Sequence, residues 1–280
     1  LDVGQGDAAL VTMPDGTTLL IDGGGRPGFQ GRKQTEPEAE DADADREEPF
    51  ERDTRSIGEA VVSEYLWWRG LDRVDYILAT HADADHIDGL NDVARNFKVS
   101  AALVARTPND DPEYVKFAAT LAARKIPLTV IGSGDQLHFG GATATILWPL
   151  LSTDSGAPSG NNDSIVLRLQ FGERTILMTG DVEKEGEAAI LNTRNALGAD
   201  VVKVPHHGSK TSSTAAFVAA SHPRLAVISV GLTSVFGHPT KEVVERWRAS
   251  GAEVLTTGKR GTITVSTDGK TFSVKSFVSE

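Results

Sequence analysis

The chain repeats itself. "DAALVTMPDGTTLLIDG" (7–23) resembles "DSIVLRLQFGERTILMTGD" (163–181): an aspartate opens an alternating strand, a glycine turn comes nine residues later, and a second apolar strand follows. Downstream, "GEAVVSEYLWWRGLDRVDYILATH" (58–81) parallels "GEAAILNTRNALGADVVKVPH" (186–206), each an amphipathic helix, a glycine-containing turn and a buried strand ending in histidine. Such a chain must place two copies of one supersecondary unit. The interval from turn glycine to histidine is 65 residues in the first copy (Gly16 to His81) and 34 in the second (Gly172 to His206). The difference of 31 is about the length from Arg26 to Ser56, an insertion in the first copy. The expectation is one domain over residues 1–280, with halves of about 1–140 and 141–280.

Apolar patterning predicts strands over 8–13, 17–22, 74–80, 101–105, 126–131, 142–148, 164–171, 174–179, 201–205, 225–230, 262–266 and 271–277. Helices are expected over 57–69, 86–96, 111–124, 183–197, 212–220 and 240–250. Strands and helices mixed in this order imply an α/β (α+β) protein with two sheets face to face and helices outside.

Four polar clusters share one grammar, each following an apolar strand: His81, Asp83, Asp85 and His86 after "YILAT"; Asp181 after "TILMTG"; His206 and His207 after "VVKVP"; and His238 after "AVISVGLTSVFG". Groups at the ends of neighbouring strands converge on one edge of a sheet. His81 and Asp83, two apart, can point the same way, while Asp85 and His86 enter the next helix and aim elsewhere. One turn can therefore serve two metal ions, with Asp181 as a bridge, in the arrangement that hydrolyses phosphate esters. The competing reading makes Asp83 and Asp85 helix caps, which leaves the histidines unexplained. The repeat aligns His206 with His81, favouring His206 as ligand and leaving His207 for substrate or proton transfer. Ser209, Lys210, Thr211 and Ser212 can receive a phosphate at the following helix start, or simply cap it. His238 is a candidate acid or phosphate contact; His138 and His222 read as structural.

Other chemistries are excluded or unsupported. Without cysteine, a metal must use His, carboxylate or carbonyl ligands. "VGQGDA" precedes a strand and lacks GxGxxG spacing, "DGGGRPG" lacks the Lys-Ser/Thr of a P-loop, and no GxSxG occurs. The net charge of −11 disfavours nucleic acid until its distribution is considered. Residues 36–53 hold ten acids and two bases and read as a solvated, mobile loop within the 26–56 insertion; residues 201–280 hold ten Lys/Arg against five Asp/Glu. Trp67, Trp68 and Trp247 lie on expected helices and read as core or partner-facing.

"DVGQGDA", "LLIDGGG", "THADADHIDGL", "NNDSIVLRL", "MTGD", "VPHHGSK" and "FGHP" resemble the metallo-β-lactamase fold family, and within it the C-terminal domain of ComEC-type DNA-uptake channels. The resemblance spans nearly the whole chain apart from the acidic loop. It implies a four-layer αββα sandwich with a two-metal site along one edge. His81, Asp83, Asp85, His86, Asp181 and His206 match metal-ligand positions; Asp85 could also orient the attacking water. Asp7, Asp22 and Asn162 are implied as structural residues near the site. Two departures stand out: Asp83 replaces the second histidine of HxHxDH, and Asn161 and Asn162 stand where a further histidine is usual. One metal site is therefore expected to be weak, and the oxygen-rich set to favour Mn²⁺ over Zn²⁺ or Mg²⁺. The resemblance implies a nuclease degrading the non-imported strand during natural transformation. Its partners would be DNA, single-stranded by preference, and the membrane-embedded channel of the same parent protein. The domain itself would be monomeric and at the extracytoplasmic face of the bacterial membrane. The alternatives are hydrolysis of another phosphoester, lactone, lactam or thioester, or a catalytically weak DNA-guiding module.

Overall fold

A computed structural model describes residues 1–26, 55–151, 160–193 and 195–279. The acidic run at 36–53 lies outside the described residues. Strand β1 (Ala9–Thr12) turns through Gly16 into antiparallel β2 (Thr18–Ile21). Gly16 has φ 88°, and the Asp15 carboxylate accepts from Thr17 N, which closes the turn. Parallel strands β3 (Arg73–Leu78), β4 (Lys98–Val104) and β5 (Leu128–Val130) complete a first sheet in the order β1-β2-β3-β4-β5. Its crossovers are a helical run of Gly58–Ser63 and α1 (Glu64–Trp68), then α2 (Ala84–Asn96), then α3 (Pro112–Arg124). Asp111 starts α3 by accepting from Tyr114 N, with Pro112 fixing the first turn.

The second sheet runs β12-β11-β10-β9-β8-β7-β6, from β6 (Gln136–Phe139) and β7 (Ala142–Trp148) to β8 (Val166–Phe171), β9 (Arg174–Met178), β10 (Val201–Lys203), β11 (Leu225–Ile228) and β12 (Glu253–Thr256). Its crossovers are α4 (Lys184–Asn192), α5 (Ala215–Ser221) and α6 (Lys241–Ala249). A short α7 (Thr257–Arg260) leads to a separate hairpin, β13 (Ile263–Thr267) with β14 (Phe272–Ser276). Strands β8 to β12 follow the same order as β1 to β5: an antiparallel pair, then three parallel additions.

The layers follow from alternation. Leu19, Ile21 and Leu78 face Ile146, Ile165, Leu167 and Met178 between the sheets. Leu20, Ile77 and Ala79 face the other way, onto Ile87, Leu90 and Val93 of α2. On the far side Val202, Val204 and Ile228 pack with Phe217 and fully buried Trp247. This is the expected αββα sandwich. Trp67 and Trp68, by contrast, are exposed. Helix α5 begins at Ala215, later than expected, because Ser213 takes a left-handed φ of 58° and Thr214 caps through Phe217 N.

One packing detail positions the site. Helix α2 lies backbone-to-backbone on the segment after β2: Gly23 N donates to His86 O and Gly89 N to Gly24 O. A Cβ on Gly23 would run into the backbone of Gly89 and Leu90, and one on Gly89 into Gly23 O. Asp7 N donates to Asp85 O, so the loop before β1 is tied to the same helix start.

Candidate metal centre

The polar clusters meet at the carboxyl ends of β3, β9, β10 and β11. Asp7, His86, Asp181 and His207 are all buried, and each offers one ligand atom within 4.8 Å of the others. Each ring is aimed from behind. Asp22 Oδ2 lies 2.9 Å from His86 Nδ1 and also accepts from Thr80 Oγ1, while its Oδ1 takes Thr80 N. Ser229 O lies 2.9 Å from His207 Nδ1; a carbonyl can only accept, so that nitrogen carries a proton. Both rings therefore turn Nε2 toward Asp181 Oδ2, at 3.2 Å each, and holding a ring through its other nitrogen is how proteins orient metal-binding histidines. His207 Nε2 also lies 3.5 Å from Asp85 Oδ2.

A second set adjoins the first. His81 Nε2 lies 3.6 Å from Asp83 Oδ2, and its ring centre 4.2 Å from that of His86. Thr80 Oγ1 and Ser164 Oγ lie behind its Nδ1 at 3.1 and 3.4 Å. His206 Nε2 approaches Asp181 Oδ2 at 3.9 Å, with Glu183 Oε1 3.2 Å from its Nδ1. His238 stands at the rim, its ring 5.8 Å from His206 and stacked on Phe236.

Fit to a cation is tested by what the protein leaves unmet. The Nε2 atoms of His81, His86 and His207 are buried and make no hydrogen bond. Orphaned polar atoms of this kind are rare inside proteins, and three imidazole nitrogens with converging carboxylates are a donor set that suits a divalent ion. The residues fit.

Electrostatics follow from the crowding. Burial opposes charge on His207, but Asp181 and Asp7 outweigh it and push its pKa up to about 10. His86, equally buried, is raised well above its ordinary value by Asp181 and Asp22. Burial works against ionised Asp85 as well, yet His207 and His86 hold its carboxyl down at about 2. At the rim, burial lowers His206 and His238, so both are neutral near pH 7.

The structure brings together His81, Asp83, Asp85, His86, Asp181, His206 and His207, and rearranges several expected roles. His207, not His206, enters the buried group. Both residues have left-handed backbones, φ 52° and 48°, which swings the second ring under Ser229 while the first stays one-fifth exposed. Asp7, expected only as nearby support, faces the group directly. Asp22 stands behind His86. Asn162 turns away and accepts from Glu183 N and Gly186 N at the start of α4. Ser212 is buried, donating to Pro205 O and Ser209 O, and Ser209 Oγ bonds Thr211 Oγ1; these hydroxyls hold the turn, which leaves Lys210 as the exposed cation beside it. His138 and His222 lie outside the group. Sequence reading missed Lys203, whose buried ammonium pairs with Asp7, donates to Gly180 O at 2.8 Å and lies 3.4 Å from Asp181 Oδ1. A lysine inside the apolar run "VVKVP" was the available signal.

Residues 1–231 match the model of the metallo-beta-lactamase superfamily; the chain belongs to that superfamily. It is 31% identical to ComE operon protein 3 of Bacillus subtilis (strain 168), over 94% of this chain and 32% of that protein. It is 28% identical to competence protein ComA of Neisseria gonorrhoeae, over 79% of this chain and 29% of that protein. The chain thus spans about a third of the length of these curated relatives. Among solved structures, a mutant of the CmlA beta-hydroxylase superposes with a TM-score of 0.51 at 14% identity, covering 90% of this chain and 51% of that one, a likeness of fold alone. Among the described residues no helix is long and apolar enough to cross a membrane.

Proposed function

We propose that the protein is a metal-dependent phosphodiester hydrolase acting on DNA, in the uptake process to which the names of its competence relatives point. The observation that carries this reading is the convergence on Asp181 Oδ2 of His86 Nε2 and His207 Nε2, neither of which makes a hydrogen bond, beside a second open set, His81, Asp83 and His206. Asp85, His86, His207 and Asp181 would hold one ion; His81, Asp83, His206 and the shared Asp181 would hold another. Paired divalent ions supply a nucleophile at neutral pH and offset charge on both the attacking and the leaving oxygen. The oxygen-rich donors, two carboxylates to two imidazoles in each set, support Mn²⁺ over Zn²⁺ or Mg²⁺, and the wider spacing of the second set, 3.6 and 3.9 Å against 3.2 Å, supports lower occupancy there.

The remaining roles fall to the chain itself. Asp85, ionised throughout the neutral range, holds an acceptor toward the site and can orient water. Neutral His238 at the rim can offer its N–H as a hydrogen bond to a phosphate oxygen and take up a proton on its other nitrogen. Lys210 adds an exposed positive charge for a backbone phosphate, within a C-terminal part of net positive charge. The parent context belongs to the same proposal: a domain on the extracytoplasmic side of a bacterial membrane, beside a channel.

The test is end-labelled single- and double-stranded DNA with metal-stripped protein, titrated with Mn²⁺, Mg²⁺ and Zn²⁺ alongside Asp85→Ala and Asp181→Ala. Metal-dependent cleavage lost in both variants is expected. The turned-away Asn162, which supplies no ligand where a histidine is usual, favours a second reading as a DNA-guiding module. That reading requires DNA bound but uncut with every metal.

A further inference from the structure

Three large apolar side chains stand out from the loop that joins β11 to α6: Leu232, Val235 and Phe236, 73%, 74% and 49% exposed. Burying them would be favourable, so a loop free to move would fold them inward. This one is pinned. Ser234 Oγ donates to Gln5 Oε1 at 3.0 Å, and Gly237 N donates to Ser234 O at 3.1 Å, a turn that Gly237 permits with φ 72°. On its inner side the loop backbone lies directly on α7, where a Cβ on Gly258 would run into Gly231 and Leu232. The apolar groups are therefore held out in water by the fold.

The same loop reaches the metal centre. Phe236 is stacked on His238, with 6.0 Å between ring centres and planes 25° apart, and the His238 ring lies 5.8 Å from that of His206. An aromatic ring thus stands two ring-to-ring steps from a candidate metal ligand. The charge around it differs from that of the chain as a whole. Residues 201–241 contain no aspartate or glutamate, although the chain has 39. Exposed Lys210 follows the His206 turn, and exposed Lys259 adjoins Gly258 under the loop. Apolar groups in an acid-free, basic setting beside a cation site match a ligand that carries phosphate and a flat apolar group close together. A nucleotide within a strand is such a ligand. A lactone, or the phosphate ester of a small alcohol, would engage the ions and leave the ring uncovered.

We propose that Phe236, flanked by Leu232 and Val235, stacks a base of single-stranded DNA in the nucleotide next to the phosphate at the metal centre. Stacking on an aromatic ring accepts every base, so the contact selects the form of the strand and not its sequence. In a duplex each base is already covered by its neighbours and offers no face to the loop. The inference rests on the phosphodiester reading and adds to it the residue that recognises an unpaired strand.

The test measures affinity by fluorescence anisotropy, with Ca²⁺ replacing Mn²⁺ to hold back cleavage. The probes are a thymidine strand of about 15 nucleotides, an abasic strand of the same length and charge, and a blunt duplex. The unaltered chain is expected to bind the thymidine strand about tenfold or more tightly than the abasic one. Phe236→Ala should lose that preference and Phe236→Trp keep it, while duplex affinity stays the same in all three. Unchanged Mn²⁺ affinity of Phe236→Ala in calorimetric titration checks that the fold is intact. Equal binding of both single strands by the unaltered chain, or a preference that survives Phe236→Ala, overturns the proposal. So does an equal loss on the duplex, which would make Phe236 a structural residue. Failure to bind any of the three probes would instead overturn the DNA reading itself, and this inference with it.

Discussion

The two halves put a carboxylate at nearly the same point of the same topology and use it in opposite ways. Asp22 follows β2, and Asp181 follows β9. Asp22 is saturated: Thr80 N, Thr80 Oγ1 and His86 Nδ1 occupy its oxygens. Asp181 has one oxygen near Lys203 and the other facing two imidazole nitrogens that make no hydrogen bond. A duplicated strand end thus becomes a support in one copy and a binding surface in the other, and neighbouring donors decide which. Lys203 on β10 has no cationic counterpart on β3, where the run before His81 is apolar or neutral, "YILAT".

The comparison can be broken first by deletion. Asp181→Ala is expected to weaken Mn²⁺ binding by more than about 100-fold in calorimetric titration, and Asp22→Ala, acting through His86, by about 10- to 100-fold. Equal losses would erase the distinction between the two carboxylates. Next, His207→Ala should cost far more metal affinity than His206→Ala; the reverse would restore the pairing that the repeat alone implies.

Third is pH. With its pKa near 10 in the metal-free fold, His207 must lose a proton to bind metal, so affinity should rise and protons be released from pH 6 to 8, read in buffers of different ionisation enthalpy. The same shift fixes a sign for stability. A folded pKa above the unfolded value of 6.5 stabilises the metal-free protein fully below about pH 6.5. That stabilisation is lost as pH rises toward 10. For Asp85, lowered from 3.8 to about 2, the contribution is present above pH 3.8 and lost as pH falls through 2. Metal-free melting temperatures that climb from pH 7 to 10 would refute the first assignment.

The smallest effect compares α3 with α6, which occupy the same place in the two halves. Asp111→Ala removes a cap and should cost about 1 kcal/mol in denaturant unfolding. Thr240→Ala should cost less, because Thr240 makes no cap bond and reaches Gly208 O instead.

Much of the sandwich was legible because strands such as 74–80 and 164–171 are apolar runs bounded by turns. Strands β6 and β12 were not: "QLHF" and "EVLT" are short and largely half-exposed or exposed, too weakly patterned to signal. At the site, the clustering after strand ends was legible, since ligand-type residues after apolar runs must lie on one rim. Whether His206 or His207 turns inward was not, because two left-handed residues in succession decide it. Nor was Lys203, read as one more strand residue although its ammonium is buried among carboxylates.

The glycine seat under α2 has a thermodynamic consequence. Asp7, Asp85 and His86 are fixed by backbone bonds, through Asp7 N to Asp85 O and Gly23 N to His86 O, so their arrangement is set when the chain folds. Loading such a site orders little and buries little new apolar surface, and its heat-capacity change on binding should be close to zero. The ligands meet the ion as a finished mould, and the specificity of the mould resides in two residues that have no side chain at all.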